Sequence, residues 1–376
     1  MELKLVMVTL ALLGATIGVG QTSPATQQQR AVKEPYQGGW SADGSTPATP
    51  ATEVEDDMIM QKSIEDRPVD VGREFDELRQ DRVNTLARQQ GVLSEADRDR
   101  YSQQAAAIER SAPHSFEAHM AHFYAEIPSA ASFQHLDRAF MRDRARQELI
   151  GPKLADALRR NHSMELTQWA RKMRDQGDIA PGLYQFADDL LNSVEKDGIL
   201  ITAGEMDTYP ILTRQFADGR RRDVLVIDQR LLVDPAYRQR IWERTRSRGP
   251  VHDSGSGFIA ALAEATDRQL FLSPALGRDH IGLPAEDLYL VGLTLKHDQR
   301  PVDNMPLLEQ RWAQMNKTTQ AGPLSRNYLL PGIVLLKYYR AQQNEQRASA
   351  MEHELRELAA KLNATQELYR LGIFQH

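Results

Sequence analysis

Three short runs constrain the fold of this 376-residue chain more than any other feature: Ile199-Leu200-Ile201-Thr202, Asp223-Val224-Leu225-Val226-Ile227-Asp228 and Arg268-Gln269-Leu270-Phe271-Leu272-Ser273. Successive side chains on a strand point to opposite faces, so a strand with one wet face alternates apolar and polar residues. The apolar stretches of these runs do not alternate, which marks strands covered on both sides. Helical spacing over Tyr209 to Phe216 and Phe258 to Thr266 separates them. The resulting β-α-β-α-β order predicts a parallel sheet between helices, with a right-handed crossover at each step. The expected fold class is therefore α/β: a small, Rossmann-like, three-layer core at 196–300. Leu288 to Leu295 offers one more strand at an edge.

Helical segments flank this core on both sides in sequence. FDELRQDRVNTLARQQGVLSEADRDRYSQQAAAIER carries apolar residues at helical intervals on a charged background and predicts a helical hairpin. Four more helices follow over Phe116 to Tyr124, Phe133 to Ile150, Lys153 to Arg160 and Met164 to Gln176, and a fifth over Leu183 to Val194. Gly151-Pro152 and Gly177 act as punctuation. These make a helical domain at 71–195. Pro306 to Met315, Ser325 to Gln343 and Ala348 to Leu371 make a closing helical segment at 301–376, in which Tyr338, Tyr339, Met351, Leu355, Leu358, Leu362 and Tyr369 are spaced for packing.

The N-terminal residues address the chain. Lys4, the apolar run Leu5 to Val19, and small residues at Gly18 and Gly20 form a signal-peptide pattern over 1–20, with cleavage expected near Gly20-Gln21. An uncleaved anchor is the alternative reading. Residues 21–70 are rich in Gln, Thr, Pro, Ala, Ser and Gly and cannot bury enough surface to offset the entropy of ordering, so a disordered tether is expected there. No other stretch reaches the roughly 18 continuous apolar residues of a membrane span. The expected location is the bacterial periplasm or cell envelope, with no membrane span after signal cleavage.

Composition removes several functional classes. With Cys 0 there is no disulfide framework, thiolate nucleophile or cysteine-ligated metal. Lys+Arg 46 against Asp+Glu 52 gives a net charge of −6, so nothing draws the chain to a nucleic-acid backbone, and no nucleic-acid partner is expected.

The candidate site lies in ITAGEMDTYPILTRQ, 201–215. Ligands bind at the carboxyl ends of parallel strands because loops and helix N-termini converge there. Gly204, Glu205, Asp207 and Thr208 follow the first strand at that rim, and Asp228 ends the second. Two carboxylates there can bind a cation, orient a sugar hydroxyl or act as acid and base. Alternatively Asp207 caps the next helix while Glu205 faces solvent.

DGILITAGEMDTYPILTRQFADGRRRDVLVIDQRLL resembles the segment "G-D-N-D-T-Y/F-P-L-W-Y-L-Q … R-x-D-V-x-V-x-N-x-x-L-L" of bacterial membrane proteins grouped as domain of unknown function 2723, or glycosyltransferase family 117. The likeness runs over roughly 195–345, through Gly249-Pro250-Val251, RQLFLSP, LYLVGLTLK and Arg326-Asn327-Tyr328. In that family this part is a soluble portion following many membrane helices, and transfer chemistry is attributed to the membrane-embedded half, which has no counterpart in this sequence. The family's Gly-Asp-Asn-Asp stands here as Gly204-Glu205-Met206-Asp207, and its Asn after the second strand as Asp228. The resemblance implies fold and not catalysis.

Other motifs are incomplete. HSFEAHMAHFY places His119 and His122 within reach of a shared metal, with His135 or a carboxylate as third ligand, but two histidines on a helix more often serve structure. HDSGSGF at 252–258 lacks the spacing of a nucleophile elbow. Arg220-Arg221-Arg222 reads as a solvated helix end. No catalytic residue, metal or cofactor is expected. The expected function is an exported, non-catalytic envelope module that binds a protein or glycan partner; the alternative is a carbohydrate-active or glycosyltransferase-associated protein using the rim carboxylates.

Overall fold

The computed structural model describes residues 70–88, 93–177, 179–253, 255–277 and 281–374. Residues 1–20, where a signal peptide is expected, and nearly all of 21–70, where a tether is expected, lie outside them. Backbone contacts divide the described chain into two compact units, 70–152 and 153–374.

The first unit is helical: α1 (Val71–Arg88), α2 (Glu95–Ser111), α3 (Phe116–Glu126) and α4 (Ala130–Arg142). Each start from α2 onward has a serine whose hydroxyl accepts an amide that no preceding turn can satisfy. Ser94 accepts from Asp97, Ser115 from Ala118 and Ser129 from Ser132. Phe75, Leu78, Tyr101, Phe123 and Leu136 are buried at the helix contacts. The long helix expected to run from Phe133 to Ile150 instead ends at Arg142, and α5 (Ile150–Arg159) begins after a 3-10 turn at Gln147–Leu149. Gly151-Pro152 opens that helix and does not separate two others, because a proline in the first turn surrenders an N–H with no helical acceptor.

The second unit continues with α6 (Ser163–Gln176) and α7 (Pro181–Ser193), then β1 (Ile199–Thr202), α8 (Glu205–Phe216), β2 (Leu225–Asp228), α9 (Pro235–Arg244), α10 (Gly255–Ala265) and β3 (Leu270–Leu272). A hairpin, β4 (Leu288–Val291) and β5 (Thr294–His297), precedes α11 (Met305–Gln314), α12 (Leu329–Ala341), α13 (Glu345–Lys361) and α14 (Thr365–Arg370). The five strands form one sheet in the order β2-β1-β3-β5-β4, flanked by helices. β1 pairs in parallel with β2, Ile199 opposite Leu225, and with β3, Ile199 opposite Leu270. Every residue of these three strands is buried, as their unbroken apolar pattern requires. Each fully buried Ile, Leu or Phe contributes about 1.5–3 kcal/mol.

Three details differ from the sequence expectation. The single edge strand is a hairpin whose second strand, β5, lies antiparallel to β3, so the sheet is mixed. Gly292 turns it with φ 65°, and a Cβ there would stand 2.3 Å from the Ser193 hydroxyl. Helix α9 follows Asp234, whose carboxylate accepts the Ala236 amide ahead of Pro235 in the first turn. Arg221 is no solvated helix end: its guanidinium donates to the carbonyls of Leu191, Val194 and Glu195, closing the carboxyl end of α7. Those carbonyls have no amide four residues on within the helix, which is why a cationic donor stabilises them.

Among the described residues no helix is long and apolar enough to cross a membrane.

Candidate functional site

At the carboxyl rim of the parallel strands, the chain leaves β1 at Thr202 and enters α8 at Glu205, three residues later. The helix starts there because Asp207, in its first turn, folds back. Its carboxylate accepts from the amides of Gly204 and Ala203, both at 2.9 Å, and from the hydroxyl of Ser273, the residue after β3. An acid in the first turn also faces the positive end of the helix. Asp207 is 2% exposed, and burial pushes its carboxyl above the ordinary aspartate range while the three donors pull against it.

Thr208, beside it, is fully buried. Its hydroxyl lies 2.7 Å from that of Thr202, which donates in turn to the Ile227 carbonyl of β2. A hydroxyl has one proton to give, so Thr208 must be the donor to Thr202. The end of β1, the start of α8 and the end of β2 are tied by this relay.

The third tie is an arginine that the sequence reading did not single out. Arg230, two residues beyond β2, meets Asp228 in a fork, Nε to Oδ1 at 3.1 Å and Nη2 to Oδ2 at 2.7 Å. Its remaining nitrogen, Nη1, donates to Glu205 at 2.8 Å. The side chains of Arg230, Glu205 and Asp228 are 15%, 10% and 0% exposed. Asp228 also accepts the Arg230 amide, and its own amide donates to the Tyr237 hydroxyl. The Tyr209 ring sits 5.9 Å from the guanidinium carbon. Burial, with Glu205 next to it, holds the Tyr209 hydroxyl far above its ordinary value, so it stays a neutral phenol.

All five expected site residues thus meet at one rim. Glu205 does not face solvent but binds Arg230, and Asp207 works as a first-turn acceptor and not as the residue before the helix. Gly204 has an extended φ of 173°, and a Cβ there would sit 3.4 Å from Arg230 Nε, so neither torsion nor crowding demands glycine. Arg230 could have been suspected from its place two residues after Asp228, where a long cationic side chain can return to a strand-end carboxylate.

Chemically, the rim is an ion-pair cluster with Asp228 fully buried and Glu205 and Arg230 slightly exposed. Two carboxylates share one guanidinium and the third is occupied by backbone and hydroxyl donors. A general acid or base needs a proton path to substrate, and each carboxyl here already has a protein partner. At the opposite rim an open cleft is lined by Glu195, Lys196, Arg221, Asp223 and Arg311, with Arg221 and Asp223 paired at 2.9 Å.

The other motifs lie elsewhere. Gly255 of HDSGSGF opens α10, while Ser254 falls outside the described residues. His119 and His122 stand on α3 in the helical unit, with His135 on the following helix.

Residues 183–253, 71 of 376, match the family described as TMEM260-associated domain 2. That stretch runs from α7 through β1, α8, β2 and α9, and holds Glu205, Asp207, Thr208, Asp228 and Arg230. It is similar to a TMEM260-like, glycosyltransferase-associated domain. The RQLFLSP, LYLVGLTLK and Arg326-Asn327-Tyr328 stretches lie beyond the matched residues. No curated protein and no solved structure matches the chain.

Proposed function

We propose that this protein is an exported, non-catalytic module of the cell envelope that binds a protein or glycan partner. The observation carrying this reading is the Glu205-Arg230-Asp228 cluster: the carboxylates that would do acid-base work at the sheet edge are spent on holding the rim together. The similarity of 183–253 to a glycosyltransferase-associated domain supports a role beside a glycan-handling machine, and the motifs of 201–232 favour the soluble portion of glycosyltransferase family 117 as the wider kinship. Export rests on the signal-peptide pattern at 1–20.

The alternative, a carbohydrate-active rim, has one observation in its favour: Asp207 is a buried carboxyl with a raised pKa at a strand end, as general acids are. Asp207→Asn separates the two. For a structural Asp207, the variant melts lower and the wild-type chain neither hydrolyses nor transfers sugar on a panel of glycosides and activated sugars. Turnover by the wild type that disappears in Asp207→Asn with unchanged melting would overturn the non-catalytic reading. Partner binding is tested by a glycan array and by envelope cross-linking with the full chain; a chain that retains no glycan and no stoichiometric companion contradicts it.

A further inference from the structure

Helices α2, α3 and α4 bring together four ionisable groups that the function above does not use, with a fifth beside them. His122 and Glu126, four residues apart, share one face of α3. His135 faces them from α4, its ring stacked on that of His122 at 4.7 Å. Glu109 reaches in from α2 to His122 Nε2 at 2.6 Å. His119, one turn earlier on α3, meets His135 with their Nδ1 atoms 3.4 Å apart.

We propose that His122, Glu126 and His135 bind a divalent transition-metal ion of the zinc type, with Glu109 and His119 orienting the two imidazoles from behind. One potential ligand atom from each of the three lies within 4.8 Å of the others. The argument turns on protons. Glu109, as an ionised acceptor, fixes a proton on His122 Nε2. The other nitrogen, Nδ1, then faces Glu126 Oε1 at 3.3 Å. A lone pair and a carboxylate oxygen repel at that distance unless positive charge stands between them. That separation is also what two ligands of a tetrahedral ion keep when each bond is about 2.0–2.1 Å.

The neighbours complete the arrangement. His119 is 3% exposed and lies directly behind His135. Of the two facing Nδ1 atoms one must donate and the other accept; when His135 donates to His119, its Nε2 keeps the lone pair a metal needs. Ligating imidazoles usually donate their far nitrogen to a carboxylate or another acceptor, which then forms the outer shell of the metal site. Two imidazoles and one carboxylate suit zinc, and also cobalt or nickel, and leave a fourth position for water. The opposing charge is Arg138 on α4, which is exposed and can point away. Glu126, 32% exposed at its side chain, is the group that can rotate to close the distance.

The competing account has no metal: a protonated His122 held between Glu109 and Glu126. The test uses the full chain without a histidine tag, stripped with chelator, then titrated with zinc by calorimetry and with cobalt by visible absorption. We expect one saturable ion per chain and the d–d bands of tetrahedral cobalt. Saturable binding should disappear in His122→Ala and His135→Ala, and zinc affinity should fall about 10- to 100-fold in Glu109→Gln. Should the histidine variants fail to fold, Glu126→Gln and Glu109→Gln decide, since both side chains are partly exposed. No saturable binding by the wild type, or wild-type affinity in folded Glu126→Gln and Glu109→Gln, overturns the site in favour of the imidazolium bridge.

Discussion

Replacing Arg230 by methionine tests the account of the rim most directly. The substitution keeps an unbranched apolar stem and removes the guanidinium, which makes three side-chain hydrogen bonds, two to Asp228 and one to Glu205. Asp228 is fully buried and Glu205 is 10% exposed, so neither recovers its lost partner from bulk water. Removing one member of a buried ion pair costs about 3–5 kcal/mol because the other charge is left uncompensated. For a unit of about 220 residues, each kcal/mol moves the melting temperature by about 2–4 °C. Arg230→Met should therefore lower Tm by about 6–20 °C in scanning calorimetry. The decisive comparison is the triple variant Arg230→Met, Asp228→Asn, Glu205→Gln, in which no charge remains to be orphaned. It should recover a large part of that loss, since replacing all partners of a buried cluster costs far less than removing one. A shift below 3 °C in the single variant, or a triple variant as unstable as the single, would refute the claim that the charges hold the rim.

Three further outcomes follow from other parts of the fold. Asp223 is paired with Arg221, which holds its carboxyl at about 2, below the ordinary 3.8. The stabilisation is present above pH 3.8 and lost as pH falls toward 2; with the side chain 26% exposed it is worth about 1–2 kcal/mol, and urea unfolding of Asp223→Asn should show that deficit at pH 7 and a flatter acid limb. Tyr328→Phe removes a 2.7 Å donor from Asp189, a buried carboxyl held by Asn316 as well, and should cost about 1–3 kcal/mol by the same assay. Gly292→Ala forces a side chain into a left-handed turn against Ser193 and should lower stability by about 1–3 kcal/mol, visible as a drop in Tm; an unchanged melt would mean the hairpin is not built as described.

The parallel core was legible because its signal is local: four or so apolar residues in a row, a charged turn, a helix. β1, β2 and β3 fall inside the three runs, and the rim residues at 204–208 and 228 follow from where the strands stop. Contacts between distant positions had no such signal. Glu205 and Arg230 are 25 residues apart and Asp189 and Tyr328 are 139 apart, and no periodicity connects them. Helix α9, PAYRQRIWER, is mostly polar and so hid its amphipathic face, although Asp234-Pro235 was a readable start. Among the histidines, the spacing of His119 and His122 showed the shared helix, but the approach of His135 depends on how α4 packs on α3, and the role of Glu109 depends on α2.

The chain of contacts from Ser273 through Asp207 to Ala203 and Gly204, and from Glu205 through Arg230 to Asp228, means that the three loops leaving β1, β2 and β3 have no independent way to open. Prying away any one breaks ties to the next, so the backbone amides of Ala203, Gly204 and Arg230 should exchange with deuterium at one common rate, set by a single concerted opening and slower than loop position alone would suggest.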